Sequence, residues 1–211
     1  RDRAGIKPMY WGLTQDGVML FGSELKALRR HPSWRGEIDR DAVALFMRYG
    51  YVPAPYSIYR RTWKLEPGAM LTYRRGSEPK IERYWDLRMI AETSQIDPVP
   101  GTDADRVEML EHLMLRSVKN EMVSDVPLGA FLSGGLDSAS VVAEMVSVAT
   151  ERVRTFSIGF AQASFDESEA AAHTAGILGS VHHNELVDLD LAKAVLDVAA
   201  TNDDLLADSS I

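Results

Sequence analysis

Six residues carry the clearest chemistry in this chain: Ser133-Gly134-Gly135-Leu136-Asp137-Ser138. Gly134 and Gly135 let a backbone turn tightly and bring amide N–H groups against phosphate oxygens with no Cβ in the way. Ser133 and Ser138 add hydroxyl donors. Asp137 would repel an anionic ligand, so its place in such a loop makes sense if it holds Mg2+ that neutralises the phosphates. The pattern is not the Walker one, because no Gly-Lys-Ser/Thr follows. Taken alone, six such residues also suit a Gly-Gly turn whose Ser and Asp cap the next helix.

The elements around the loop favour the phosphate reading. Val126–Leu132 reads as a short strand and 139–149 as a helix of small apolar residues. That places the loop where open α/β sheets bind ligands, between a strand's carboxyl end and a helix N-terminus. Further on, 153–160 and 182–187 read as strands, with 167–178 and 191–200 as helices. Such alternation predicts a doubly wound parallel sheet with helices on both faces. Before the loop, Val107, Leu110, Met114, Val118 and Met122 recur at helical spacing, which predicts an amphipathic helix over 104–123. Met109, Met114 and Met122 read as core filler.

Residues 1–91 read differently, as a β-rich unit. Strands are expected at 9–13, 17–22 and 69–73, the first two joined through Asp16-Gly17. A helix over 40–49 is capped by Asp39. Trp63 to Gly68 reads as a turn, and 83–87 as the last ordered piece. The stretch 92–104 is polar and rich in Pro and Gly, so a linker is placed there. Charge changes across it: residues 1–100 hold 17 Lys+Arg against 12 Asp+Glu, and residues 101–211 hold 6 against 19. The acidic second part has no basic stripe for nucleic acid, and no apolar run is long enough to span a bilayer. There is no Cys, which excludes disulfides and suits a reducing cytoplasm.

The longer context closely resembles the glutamine-dependent asparagine synthetase family. Val123 to Ser138 resembles the family's synthetase loop, as do Thr155-Phe156-Ser157-Ile158-Gly159-Phe160 and Phe165-Asp166-Glu167-Ser168. Arg1-Asp2-Arg3-Ala4-Gly5-Ile6-Lys7-Pro8-Met9-Tyr10, Ser23 to Leu28, Gly50 to Pro55, Lys64 to Gly68 and Arg83-Tyr84-Trp85-Asp86 resemble the end of its glutaminase domain and the bridge beyond.

The resemblance implies the C-terminal part of an N-terminal-nucleophile glutaminase fold over 1–91. A linker follows at 92–104, then an ATP-pyrophosphatase synthetase domain from 105. ATP adenylates the side-chain carboxylate of aspartate, and ammonia from glutamine displaces AMP. On this resemblance Ser133, Gly134, Gly135, Asp137 and Ser138 hold pyrophosphate, and the backbones of Leu132 and Ile158 flank the base. Asp137 and Asp208 ligate Mg2+, and Asp2 binds glutamine's α-ammonium. Asp203 and Asp204 stand at the family's proton-handling acid, although Leu205 replaces a Pro there and Asp204 a Glu. His182-His183 are expected to be structural, since neighbours on a strand face opposite ways. The family's nucleophilic Cys would lie upstream of Arg1 and its phosphate-binding Lys beyond Ile211, so the fragment alone is expected to be inactive. Partners implied are the small molecules ATP, glutamine and aspartate, with a homodimer of the parent allowed. Two alternatives stay open: a paralogue amidating another carboxylate, and an inert interaction module.

Overall fold

The structure is a computed structural model and describes residues 1–160, 166–187, 198, 201–205 and 207. Its contacts divide the chain into two compact units, Arg1–Pro98 with Leu191–Ile211, and Val99–Asp190.

In the first unit the Asp16-Gly17 turn closes an antiparallel hairpin of β1 (Tyr10–Leu13) and β2 (Met19–Gly22). The Thr14 N–H and hydroxyl both donate to the Val18 carbonyl across the turn, and Gly17 takes φ +76°. α1 (Leu25–Arg29) and α2 (Arg40–Tyr49) follow. The Asp39 carboxylate accepts from the Asp41 N–H at the start of α2, and Gly50 ends it in the left-handed region at φ +76°. A strand that was not expected, β3 (Thr62–Lys64), pairs antiparallel with the other side of β1. Its Thr62-Trp63-Lys64 looks too short and mixed to signal a strand, but Trp63 stacks on Trp11 across the pair at 4.7 Å. Tyr10, Leu25, Leu28 and Ile58 form the core here.

β4 (Ala69–Thr72) and β5 (Lys80–Arg83) make a second hairpin. Gly68 precedes it at φ +66°, where a Cβ would overlap the Trp85 carbonyl oxygen. Order does not stop at Leu87. α3 (Leu87–Ile96) runs through the first part of the stretch expected to be a linker. The Asp86 carboxylate caps the Arg88 and Met89 N–H groups, and Arg88 pairs with Glu92 one turn on.

The second unit begins with α4 (Asp103–Glu121), whose Thr102 and Asp105 form a reciprocal capping box. Its apolar stripe exists but is not core: none of its residues is buried, and Met109 is half exposed. β6 (Gly129–Phe131), β7 (Arg154–Phe160) and β8 (Val181–Val187) form a parallel sheet in the order β6-β7-β8. α5 (Leu136–Val148) and α6 (Ser168–Leu178) connect them. With strands added in one direction along the sheet, two right-handed crossovers put both helices on one face. Leu132, Val142, Ala171 and Ala175 are packed between them. The expectation of helices on both faces is therefore not met among the described residues, and Phe131, Phe156 and Ile158 are exposed. The helix expected at 191–200 falls outside the described residues at every position but 198.

A polar chain crosses the helix-facing side of β7 and β8. The Ser157 hydroxyl donates to Asn184 Oδ1 at 2.9 Å. Its only proton is then committed, so at 3.1 Å it accepts from His182 Nε2–H. His182 Nδ1 is left to accept from the Thr155 hydroxyl at 3.0 Å, and Thr155 accepts from Ser180 at 2.9 Å. Burial, with His183 next to it, holds the His182 pKa below its usual value. That fits the neutral ring this bonding requires and the structural role expected for this residue.

Candidate nucleotide site

The parallel ladder carries the chain to the edge of the candidate loop: the Leu132 N–H donates to the Phe156 carbonyl at 2.8 Å. Leu132 is buried, which anchors the loop at its first residue. At the far side the loop runs directly into α5, three residues earlier than the sequence suggested. Gly135 is the N-cap and supplies no side-chain cap. Asp137 lies in the first turn, where the helix dipole favours a carboxylate.

Ser133 and Ser138 staple the two ends of the loop. Their hydroxyls lie 2.8 Å apart, and Ser138 Oγ also accepts from the Ser133 N–H at 3.1 Å. The Gly135 N–H donates to Ser133 Oγ at 3.3 Å. Neither glycine is there for a left-handed backbone: Gly135 sits at φ −83°, and Gly134 is not at positive φ. What Gly134 supplies is close approach, since a Cβ on it would lie 3.0 Å from the Ala170 Cβ of α6.

Glu167, the residue before α6, was not among the expected site residues. Its Oε2 accepts from the Gly134 N–H at 3.1 Å across 33 residues of chain. Nothing local could signal that contact. A cavity of about 340 Å³ opens between the loop and the sheet, with Leu132, Ser133, Ser138, Ile158 and Glu167 in its wall. The structure thus gathers Leu132, Ser133, Ser138 and Ile158 around one space, with Gly134 and Gly135 in the same loop. No group of three or more acidic or His side chains gathers as a metal cage among the described residues. Asp208 lies outside them.

The other expected site residues lie in the first unit. The two oxygens of Asp2 accept from the Ile6 and Lys7 N–H groups, both at 3.0 Å. Those bonds, the one from Lys7 most of all, lower its pKa. They cap the turn and still leave lone pairs free. Asp204 forms an ion pair with Lys64 at 2.6 Å, with 12% of its side chain exposed, and accepts from the Tyr10 hydroxyl at 3.3 Å. Burial first, then that carboxylate, holds the Tyr10 phenol above its usual pKa. Asp203 accepts from the Lys26 N–H at 3.0 Å. A separate apolar cavity of about 620 Å³ lies against Met9, Trp11, Phe21 and Tyr84 and contains none of the expected site residues.

A family model described as asparagine synthase matches residues 109–211, and one described as a glutamine amidotransferase domain matches residues 1–85. The chain belongs to the glutamine-hydrolysing asparagine synthetase family. Asparagine synthetase 1 (glutamine-hydrolysing) of Bacillus subtilis is 36% identical over 182 residues, which is 85% of this chain and 27% of that protein. A Methanocaldococcus jannaschii protein provisionally named as another such synthetase is 36% identical over 189 residues, 87% of this chain and 35% of that one. The mouse asparagine synthetase (glutamine-hydrolysing) is 25% identical over 205 residues, 93% of this chain and 34% of that one. The chain spans about a third of the length of these curated relatives or less. In this chain, the strand–loop–helix site falls in the segment matched by the synthase model, and Asp2 falls in the amidotransferase segment.

Proposed function

We propose that the protein containing this chain uses ATP to adenylate the side-chain carboxylate of aspartate, then displaces AMP with ammonia released from glutamine, forming asparagine. The observation that carries this is one chain holding both family segments, with a Gly-rich loop at a parallel strand's carboxyl end inside the second. In this reading 1–91 closes an N-terminal-nucleophile glutaminase domain and its bridge. Residues from 105 begin an ATP-pyrophosphatase domain, with 92–104 between them. Asp2 takes the glutamine α-ammonium on the lone pairs its turn leaves open.

Adenylation breaks the bond between the α- and β-phosphates, so the site must grip a leaving pyrophosphate. The loop is suited to that grip. Backbone N–H groups of Ser133, Gly134 and Gly135 sit beside two hydroxyls, at the start of a helix with no side-chain cap. Leu132 and Ile158 bound the cavity in which the base would lie. Asp137 and Asp208 are the residues proposed to hold Mg2+, which would screen the phosphate charge. An acidic unit with few Lys or Arg needs such a counter-charge. Asp204 already neutralises Lys64, which leaves Asp203 the less committed of the two acids proposed for proton handling. Cytoplasmic location and a homodimer are proposed on family grounds alone; no helix among the described residues is long and apolar enough to cross a membrane.

The test is Asp137→Asn in the complete protein, with pyrophosphate release and glutamine hydrolysis measured separately. The substitution keeps the shape and removes the charge. Pyrophosphate release is expected to fall by roughly a thousandfold or more, with glutamine hydrolysis nearly unchanged. Unaltered pyrophosphate release would remove Asp137 from the site.

A further inference from the structure

We propose that Glu167 is an internal competitor for the phosphate-binding loop, an anion of the protein that nucleotide phosphate must displace from the Gly134 amide. The inference rests on the nucleotide reading above and adds to it a residue that sets affinity for the phosphate end of the ligand.

Three amide donors define the loop, and each has an internal acceptor. The Ser133 and Gly135 N–H groups go to hydroxyls of the loop itself, Ser138 and Ser133. Only the Gly134 N–H goes to a charged group, the Glu167 carboxylate at 3.1 Å. A charged acceptor makes the stronger bond, so Gly134 is the donor a phosphate oxygen finds hardest to win. The acceptor is also well placed to hold its position. Glu167 is the N-cap of α6, where its carbonyl accepts from the Ala171 N–H at 2.9 Å, and Ala171 is buried. The next residue of α6 facing the loop, Ala170, touches Gly134 closely enough that a Cβ there would be crowded. Helix, carboxylate and glycine therefore form one fitted contact, and Glu167 lines the same cavity as Leu132, Ser133, Ser138 and Ile158.

A carboxylate and a phosphate oxygen compete for one N–H, and as like charges they repel at that separation. Binding a phosphate thus requires the Glu167 side chain to leave Gly134. Adenosine, which has no phosphate, makes no such demand. Glu167 would raise the threshold for phosphate-bearing ligands while leaving recognition of the base untouched.

The experiment compares wild type, Glu167→Gln and Glu167→Ala in the complete protein, titrating Mg-ATP, magnesium pyrophosphate and adenosine by calorimetry. Glutamine keeps the size and removes the charge. Both variants are expected to bind Mg-ATP and pyrophosphate more tightly, by roughly three- to tenfold, with adenosine affinity unchanged. Equal or weaker Mg-ATP binding by both variants, with wild type binding normally, would overturn the competitor role. An equal gain for adenosine would also overturn it, since that would mark a general change in the cavity. If wild type bound neither Mg-ATP nor pyrophosphate, the nucleotide reading itself would fall, and this proposal with it.

Discussion

Replacing Gly134 with alanine probes how closely the loop must lie on α6. The new methyl would stand 3.0 Å from the Ala170 Cβ, whereas carbon atoms prefer about 3.5–4.0 Å. The loop has to retreat by roughly half an ångström, and such overpacking typically costs about 1–3 kcal/mol. The retreat carries the Gly134 N–H away from the place where it would meet a phosphate, an effect expected to outweigh any loosening of its 3.1 Å bond to Glu167. Mg-ATP affinity is therefore expected to fall about tenfold, equivalent to ~1.4 kcal/mol. Ala170→Gly opens the space again, at a helix-propensity cost of about 1 kcal/mol that falls on folding rather than on binding. In the Gly134→Ala/Ala170→Gly double variant the loop can return, and affinity should recover to within about threefold of wild type, a coupling near 1 kcal/mol. Calorimetric titration of Mg-ATP into the four proteins measures the cycle. If the double variant binds as weakly as Gly134→Ala alone, the contact with Ala170 does not set the loop's position, and the reasoning fails.

Three further substitutions test the first unit. Gly68→Ala combines a left-handed φ of +66° with overlap on the Trp85 carbonyl, so it should lose folding of the β4–β5 hairpin; Gly76→Ala, at φ +82° with open space around it, should cost only about 1 kcal/mol, and equal thermal stability of the two would refute the steric argument. Tyr10 keeps its proton in the folded chain to higher pH than in the unfolded chain: below about pH 10 both states are protonated and its contribution is intact, and above it only the unfolded chain ionises, so stability falls as pH rises. Denaturant midpoints between pH 9 and 11 should therefore drop less steeply in Tyr10→Phe than in wild type.

The Gly-rich loop was legible because it is local. Six consecutive residues specify the turn, the hydroxyl staple and the helix start, and strand and helix patterns flank them. The contact of Glu167 with the loop was invisible for the opposite reason, although the segment Phe165-Asp166-Glu167-Ser168 carried part of the resemblance: its partner is a backbone N–H, which no sequence distinguishes, and only the β6–α5–β7–α6 path brings them together. α3 was missed because Glu92-Thr93-Ser94 and the Pro residues beyond read as linker, while its stability comes from the Asp86 cap and the Arg88–Glu92 pair. α4 shows the reverse error. Its spacing revealed the helix, but a stripe of apolar residues states only which face could be covered, and Val107 and Leu110 are exposed. Asp204 illustrates a third limit: the family resemblance gives its place in the chain, whereas its contact with Lys64, far away in sequence, cannot be anticipated.

The polar chain on β7 and β8 bears on how this sheet avoids mispairing. A slip of one residue turns every β8 side chain to the opposite face. A slip of two keeps each side chain on its own face, and alternation cannot detect the error. In the observed register Thr155 lies opposite His182 and Ser157 opposite Asn184. Moving β8 two residues one way sets Ser157 opposite Leu186 and strands its buried hydroxyl; moving it the other way sets Thr155 opposite Ser180 and takes Asn184 off the chain's end. Either way donors and acceptors no longer alternate, and buried polar groups lose partners. The hydroxyls and the imidazole act as a key with a single fit, rejecting the even-numbered slips that hydrophobic patterning would accept.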